Sequence, residues 1–331
     1  MAVYNPTGSG LVHIDKILTQ ISVAWPNNGL VGENLFPVVP VQKQSDKYYV
    51  FGREGWSVEN DLRAPGTIAN EVPGLALSSD TYYAQEHALQ IPVTDEERSN
   101  ADSPLTPDRD ATEMVTSKIM LGREVAMFNK VTLAANYGSG LSVTLAGALT
   151  WKFANYATSF PISDLRTGKS AVNARIFMDP NTVIVPYQVM TQLEDHPAFL
   201  TRIQYSERAI FSPELLAAIL GIPKWVVPGV GINNANIGQA ASLGYLWGQN
   251  VVMAYVPPRA GLKIPAFGYE FQWTGNVGGG QVVDRWREEP RRSDLIRVRR
   301  DYDLKLVAQG DVGTADAGLA IAGYLLKNTI T

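Results

Sequence analysis

The chain has 331 residues, enough for one large or two ordinary domains, and its net charge of −4 gives no electrostatic case for binding nucleic acid. Charged residues make up only 18%, which indicates that much of the surface meets other protein. Cysteine is absent, and the histidines His13, His87 and His196 are not spaced for a shared metal, so neither a metal centre nor another cofactor is expected.

Residues 1–45 contain four prolines and little long periodicity. Their only helical pattern is a short amphipathic one from His13 to Trp25. A segment of this kind cannot bury itself, so we predict an extended arm that lies on another surface. The start of the chain lacks the pattern of a signal peptide, and no apolar run approaches the ~20 residues of a membrane span, so a protein made in the cytoplasm and not bound to membrane is expected.

Residues 46–93 predict two strands around a long loop. Lys47–Phe51 and Thr81–Val93 are rich in aromatic and β-branched residues, which favour strands. The loop between them far exceeds the usual hairpin length of about two to five residues. It carries large apolar side chains that a solvated loop would not need. We therefore predict a protruding hairpin that docks on another subunit through apolar residues: Trp56, Leu62, Ile68 and Leu75.

Val93–Met114 holds seven acidic residues against two arginines. No register in it supplies both the glycine and the glutamate of a calcium-binding loop, and a catalytic carboxylate pair would require burial that this polar run does not provide. Acids at Asp108 and Asp110 are instead favoured by the dipole of a helix that starts there. We predict the base of the hairpin followed by a helix start, and therefore no enzyme active site.

The strongest helix prediction covers residues 106–137. Thr106 is a suitable N-cap, Pro107 suits the first helical position, and the helix ends at Asn136–Gly140. A helix of about thirty residues would be ~45 Å long, well above the usual length in a globular domain.

Residues 160–265 alternate helices with short apolar strands, which predicts an α+β unit with its own core. Within it, Gly168, Lys169 and Ser170 resemble the end of a phosphate-binding loop. That motif requires glycine where Ser163 stands, so an ordinary amphipathic helix is the better interpretation.

The last part of the chain, residues 266–331, is predicted to be mostly β. Leu295–Gln309 alternates apolar and polar residues with the period of a long strand, and Ala317–Leu326 is predicted to be its partner. A cluster of arginines precedes and enters the strand. Because acids are interleaved with them, we expect salt bridges within or between subunits rather than a nucleic-acid patch.

The order of these features resembles the major capsid protein of tailed bacteriophages, which has the Hong Kong 97-type fold. Three phrases carry the likeness: "LFPVVPVQKQSDKYYVF" before the hairpin, "RAPGTIANEV" within it, and "VTDEERSNADSPLTPDRDATE" before the long helix. Together they are fairly specific, and the resemblance covers essentially the whole chain.

The resemblance implies an α+β fold divided into the parts of that family. These would be an N-terminal arm at 1–45, the extended loop at 46–100, a peripheral domain with the long spine helix at 101–160, an axial domain at 161–265, and a return to the peripheral domain at 266–331.

By the same resemblance, the chain would assemble with itself into pentamers and hexamers of an icosahedral shell around phage double-stranded DNA, formed in the host cytoplasm. Decoration, portal and scaffolding proteins and non-specific contact with packaged DNA are further expected partners. Scaffolding would be a separate protein, since no room precedes the arm. The alternative is an encapsulin-like bacterial compartment shell.

Some family members cross-link their loops through a lysine, but Gly52–Asp80 contains none, so no such bond is expected. The residues expected at contacts between subunits are Trp56, Leu62, Arg63, Ile68, Leu75, Glu96, Glu97, Arg285, Arg287, Arg291 and Arg292.

Overall fold

A computed structural model describes residues 29–72, 74–102, 105–203, 212–236, 238–261, 264–275, 280–308 and 316–330. The predicted amphipathic helix from His13 to Trp25, and most of the predicted arm with it, lies outside the described residues.

The elements of the first half are β1 (Val38–Val41), β2 (Ser45–Phe51), β3 (Leu77–Tyr83), β4 (Gln85–Thr94), α1 (Asp95–Asn100), α2 (Pro107–Thr132), β5 (Ser142–Thr144) and α3 (Pro161–Ile176). Those of the second half are β6 (Thr182–Ile184), α4 (Tyr187–Glu194), α5 (Pro197–Ile203), α6 (Pro213–Leu220), β7 (Lys224–Val226), β8 (Gly231–Asn233), β9 (Leu243–Tyr245), β10 (Val251–Ala254), β11 (Gly268–Trp273), β12 (Gln281–Glu288), β13 (Ser293–Leu306) and β14 (Gly323–Lys327). The mixture of helices and sheets is the predicted α+β class.

The first sheet is built around β13, the long strand that the period-two pattern predicts. Its order is β1-β11-β13-β12, and β4 pairs with β13 along the other side. Helix α2 packs on this sheet, where Val115 and Ile119 meet Val298 and Ile91. The face of β13 opposite α2 is less exposed to water than the alternation of apolar and polar residues predicts, since Leu295 on that face is only 4% exposed.

The second sheet has the order β5-β14-β10-β6-β7 and lies beneath α3 and α6. The predicted pairing of Ala317–Leu326 with the long strand is wrong, since β14 pairs with β10 and β5 instead. The physical reason is the run Gly323–Leu326, which is buried on both faces and so suits the interior of a sheet covered by helices. At the edge of the first sheet, one face of this run would have been exposed to water.

The hairpin exists, but its return strand is not continuous. Strand β3 pairs with β2, from Ser45 opposite Tyr83 to Phe51 opposite Leu77. The strand is interrupted at the buried Ala84, and the chain continues as β4 in the first sheet. The predicted single strand Thr81–Val93 therefore serves two sheets in succession.

The long helix α2 has 26 residues and ends at Thr132, earlier than the predicted residue 137. A turn of 3-10 helix, Ala134–Asn136, follows it. At its start, Thr106 occupies the N-cap position but its hydroxyl makes no capping hydrogen bond. Instead, the Asp110 carboxylate accepts a hydrogen bond from the Thr106 amide, with N and Oδ2 3.3 Å apart.

A buried ion cluster joins α2 to the first sheet. The Arg123 guanidinium donates from Nε to Glu270 Oε2 at 2.7 Å, and Arg300 reaches the other oxygen of Glu270 at 2.9 Å. Burial alone would lower the pKa of Arg123, but Glu270 and Glu33 beside it raise the pKa above its ordinary value. The cluster fixes the helix against the strand, because no partner can leave without stranding a buried charge.

Next to this cluster, Glu124 holds Val31 and Gly32, which lie within the range predicted as an arm. Its carboxylate accepts hydrogen bonds from the amides of Val31 and Gly32 at 2.9–3.1 Å and from the Trp247 indole at 2.9 Å. A side chain at position 32 would collide with Met127, so glycine is required there. Residues 31 and 32 are thereby held on the long helix.

Candidate inter-subunit surface

The far end of the hairpin exposes large apolar side chains. We call Ser57–Val72 the tip. Within it Val58, Leu62 and Ile68 are 97%, 82% and 89% exposed. Groups of apolar side chains this open are characteristic of surfaces that meet another protein, whereas single ones are ordinary. The sequence prediction placed Leu62 and Ile68 at such a surface, and the structure leaves both side chains largely exposed.

Local hydrogen bonds shape the tip. The Asn60 side-chain oxygen accepts a hydrogen bond from the Leu62 amide at 3.1 Å, and the Asn60 backbone carbonyl accepts one from the Asn70 side chain at 2.7 Å. Arg63, predicted as an ionic contact between subunits, donates to the Thr67 carbonyl at 2.5 Å. These bonds close the tip on itself, so its apolar side chains are presented by a preformed loop.

Trp56 lies at the base of the hairpin rather than at its end. Its ring meets Phe177 edge-on with the centroids 4.7 Å apart, and Arg53 donates to the Arg175 carbonyl at 3.1 Å. The hairpin base is thus attached to the end of α3. Trp56 has this partner in its own chain but remains 52% exposed, so its predicted contact with a neighbour stays a prediction.

An apolar cavity of about 560 Å3 opens beside this attachment, and we call it the base cavity. The hairpin forms one wall, the end of α3 and the segment before β11 form the others, and a buried cluster that includes Tyr269 and Phe271 forms the floor. Arg53 is the one charged residue among the described residues that line it. The apolar residues that line the base cavity include Tyr49, Phe51, Trp56, Leu75, Ile176 and Ile264.

The acidic run folds into a short helix, α1, that the sequence interpretation missed. The Thr94 hydroxyl accepts from the Glu97 amide at 3.2 Å, and the Glu97 carboxylate accepts from the Thr94 amide at 3.0 Å. This reciprocal pair is a capping box, and the spacing of Thr94 and Glu97 in the sequence was its signal. Glu97 is therefore occupied within its own chain, whereas Glu96 is exposed.

Acids of this run pair with arginines inside the same chain, with Arg287 of β12 and with Arg98 of α1 itself. Arg287 contacts Asp95 at 2.6 Å, and Arg98 contacts Asp108 at 2.7 Å and Asp294 at 2.9 Å. The Arg287 guanidinium beside Asp95 holds the pKa of that carboxyl below its ordinary value. The expected mixed-sign salt bridges are thus present within one subunit.

The other arginines predicted at contacts between subunits lie in β12 or in the turn that joins β12 to β13. Arg285 contacts Asp294 at 2.5 Å, and Arg291 contacts Glu288 at 3.6 Å. Arg292 ends the turn in a left-handed conformation with φ 45°. For all of them, contact with a neighbouring subunit remains a prediction.

The suspected phosphate loop is part of helix α3. Gly168 is buried there, and Lys169 forms an ion pair with Asp179 at 3.0 Å. A helix in this position cannot wrap its amides around a phosphate as the loop motif does. Its glycine is explained by packing, because a side chain at Gly168 would collide with Met253 and Tyr324.

His196 also has a structural explanation. It is 1% exposed, its Nδ1 accepts from the Ala198 amide at 3.1 Å, and its Nε2 lies 3.0 Å from Ser159 Oγ. The accepting Nδ1 requires the neutral ring, and burial lowers the pKa of His196, which keeps it neutral. The ring thereby caps the start of α5.

Among the described residues, no group of three or more histidine, aspartate or glutamate side chains could hold a metal ion. No helix in the described part of the chain is both long enough and apolar enough to cross a membrane.

Two phage proteins are similar to the chain over most of its length. The major capsid protein of Burkholderia phage BcepMu is 29% identical over 315 residues, which cover 94% of this chain and 96% of that protein. The major capsid protein of Pseudomonas phage JBD67 is 27% identical over 80% of this chain and 85% of that protein. No protein-family model matches the chain.

Solved structures share the fold at lower identity. A phage-related protein from Bordetella bronchiseptica RB50 is 23% identical with a TM-score of 0.67, covering 92% of this chain and 94% of that one. The mature capsid of bacteriophage PhiM1 gives a TM-score of 0.54 at 11% identity over 93% and 89% of the two chains. The SrpI encapsulin complex from Synechococcus elongatus PCC 7942 gives 0.50 at 10% over 94% of each. The chain has the predicted Hong Kong 97-type fold.

Proposed function

We propose that this chain, which belongs with the tailed-bacteriophage major capsid proteins, assembles with itself into the icosahedral head shell that encloses phage double-stranded DNA. The observation that carries the proposal is similarity to a major capsid protein across 94% of the chain and 96% of that relative.

The mechanism that we propose is burial of apolar surface between copies, repeated around the shell. The exposed side chains of the tip supply part of this surface. At ~25 cal/mol per Å2 of apolar area, interfaces of a few thousand Å2 per subunit exceed the cost of association. The chain would thus act as a structural protein of the virion rather than as an enzyme.

The division of labour within the chain is part of the same proposal. The sheet around β13 with α2 would be the peripheral domain, and the sheet around β10 would be the axial domain that faces the five- and six-fold axes. Strand β14, at residues 323–327, departs from the expected division, because it lies in the second sheet although residues 266–331 were expected in the peripheral domain. Portal, decoration and scaffolding proteins and the packaged DNA are proposed partners, and host cytoplasm is the proposed site of assembly.

Non-covalent joining of the subunits follows from the composition of the loop, since Gly52–Asp80 contains no lysine. We expect intact particles, boiled in detergent, to run as one band at the position of a single chain on a denaturing gel. A ladder of larger bands would contradict this expectation.

Electron microscopy of the purified chain in negative stain tests the proposed function. Closed shells are expected, and a chain that stays dispersed at every concentration and salt tried would count against it. The encapsulin-like alternative is kept because one structural neighbour is an encapsulin, at 10% identity. Particles from the native source decide between them, since a phage head contains DNA and an encapsulin compartment contains protein cargo.

A further inference from the structure

A groove between α3 and α5 gathers positive charge without acids, and we call it the basic groove. It encloses about 820 Å3. Arg166 of α3 and Arg202 of α5 line it, and both are exposed. No aspartate or glutamate is among the described residues that line it. The basic groove is therefore a local positive surface on a chain whose net charge is −4.

Helical spacing brings three hydroxyl groups to the same place. Ser163, Thr167 and Ser170 recur along α3 at intervals of four and three residues, so they share one face of the helix with Arg166. On the opposite wall, Ala198 lies one helical turn before Arg202, and its small side chain leaves space. The basic groove thus offers guanidinium and hydroxyl donors together.

The arginines of the first sheet show why this groove differs from the rest of the surface. They are more numerous, but acids of the same chain neutralise them, as in the pairs Arg287–Asp95 and Arg297–Asp284. The one acid of α3 is Asp164, and its carboxylate accepts from the Trp151 indole at 2.8 Å. The positive charge of the basic groove is therefore left for a ligand.

We infer that the basic groove binds phosphate groups of the DNA backbone. A guanidinium group can donate two parallel hydrogen bonds to one phosphate, and serine and threonine hydroxyls also donate to phosphate oxygens. Contacts of this kind carry no information about base sequence, which suits a shell that has to hold every part of a genome. The inference rests on the proposed function, because it takes the DNA that the shell would enclose as the ligand.

Side chains make this site, and backbone amides do not. The amides of Gly168, Lys169 and Ser170 lie inside α3, so the resemblance of these residues to a phosphate-binding loop has no part in the inference. Because the chain as a whole is negative, attraction to DNA has to come from such local surfaces. Binding through them releases the counterions of the phosphates that are contacted, so it weakens as salt is added.

The experiment measures binding of a short fluorescein-labelled DNA duplex to the full-length, unassembled chain by fluorescence anisotropy at a series of salt concentrations. For the double variant Arg166→Gln with Arg202→Gln, the slope of log K against log salt is expected to fall in magnitude by about 2, since each lost phosphate contact removes ~0.9. Thr167→Val is expected to weaken binding at every salt concentration with an unchanged slope, because a neutral donor releases no counterion.

The matched control removes the same charge elsewhere, with Lys118→Gln on α2 and Arg259→Gln between β10 and β11, both at exposed positions. This double variant is expected to keep the salt slope of the unaltered chain, and circular dichroism verifies that all variants are folded. Equal losses of slope in the control and in the groove variant would overturn the inference. Displacement of the duplex by poly-glutamate as readily as by unlabelled DNA would overturn it too, because the ligand would then be any polyanion.

Microscopy of the same preparations separates this inference from the proposed function. Shells from an unaltered chain that binds no duplex would overturn the inference and leave the proposed function standing. A chain that binds the duplex through the basic groove but forms no shells would overturn the proposed function and leave the phosphate contacts standing.

Discussion

Glu270 illustrates how a single residue can matter more than its neighbours in sequence suggest. It is fully buried between the guanidinium groups of Arg123 and Arg300. Replacing it by glutamine removes the anion that both buried guanidinium groups share, and leaves Arg123 with Glu33, whose side chain is 61% exposed. We expect Glu270→Gln to lower the free energy of unfolding of the unassembled chain by about 3–5 kcal/mol, measured by urea denaturation.

The matched control for this substitution is Glu113→Gln. Glu113 also pairs with an arginine, Arg109 at 2.7 Å, but on the surface of α2, where water replaces the lost contact. Little change is expected. Equal losses for the two variants would show that burial is not what makes the Glu270 contacts strong.

His196 predicts a dependence of stability on pH. Burial lowers its pKa in the folded chain below the value of about 6.5 of the unfolded chain, so the unfolded chain binds more protons between the two values. Its contribution to stability is therefore full above pH of about 6.5 and is lost as the pH falls below it. In urea denaturation at pH 5 and pH 7.5, His196→Asn is expected to show a smaller difference than the unaltered chain.

His87 has to be considered beside it, because burial lowers its pKa too, although Asp301 and Glu270 oppose the shift. The double variant His87→Asn with His196→Asn should thus show an even smaller difference in stability between pH 5 and pH 7.5. A single variant His196→Asn with the full pH response of the unaltered chain would exclude His196 as a source.

Among individual residues, exposure was predictable and partners were not. Leu62 and Ile68 could be expected to be exposed because the loop around them has no pattern that buries a face. Arg287 and Asp95 are 192 positions apart in the chain, and composition alone left open whether such charges pair within or between subunits. Only the folded sheet brings them within 2.6 Å.

At the scale of elements, two glycines in helices predict opposite outcomes. A side chain at Gly168 of α3 would collide with Met253 and with the buried ring of Tyr324, so Gly168→Ala is expected to cost about 1–3 kcal/mol. At Gly122 of α2 nothing lies within 4 Å, and Gly122→Ala is expected to stabilise by ~0.4–1 kcal/mol through the unfolded chain. Thermal unfolding of both variants checks the pair, and a shift of the same sign for both would refute the packing explanation.

Helices and strands were predictable where periodicity was long and end signals were strong. Pro107 and Pro161 each stand at the first position of a helix, and Ser212 caps α6 by accepting from the Leu215 amide at 3.4 Å. The short α1 was missed because its six residues are too few to reveal a period. The break at Ala84 was missed because both halves of the return strand have strand-forming residues.

At the scale of the whole molecule, the order of strands within the sheets could not be read from the sequence. A single pattern of burial fits several partners, and β14 shows the consequence, since it joins the second sheet rather than its sequence neighbour β13. The fold class was nevertheless predictable from the order of arm, hairpin, long helix and mixed region.

Under the proposed function, folding and assembly would depend on different parts of the molecule, and a change in the hairpin tests this separation. The described tip contributes no buried side chain, whereas Ala76 accepts from the Gly52 amide at 2.8 Å and belongs to the hairpin base. Replacing Ser57–Gly74 by a short glycine-serine turn should therefore keep the core contacts. It also shortens a loop, which lowers the entropy lost on closure by about 0.6 kcal/mol per halving of length.

We expect thermal unfolding of the unassembled chain at or slightly above the temperature of the unaltered one. We also expect no shells by microscopy and sedimentation, because the contacts between copies that we propose for the tip would be lost. Shells of ordinary size from this variant would mean that the tip is dispensable, and an unfolded variant would mean that it supports the core.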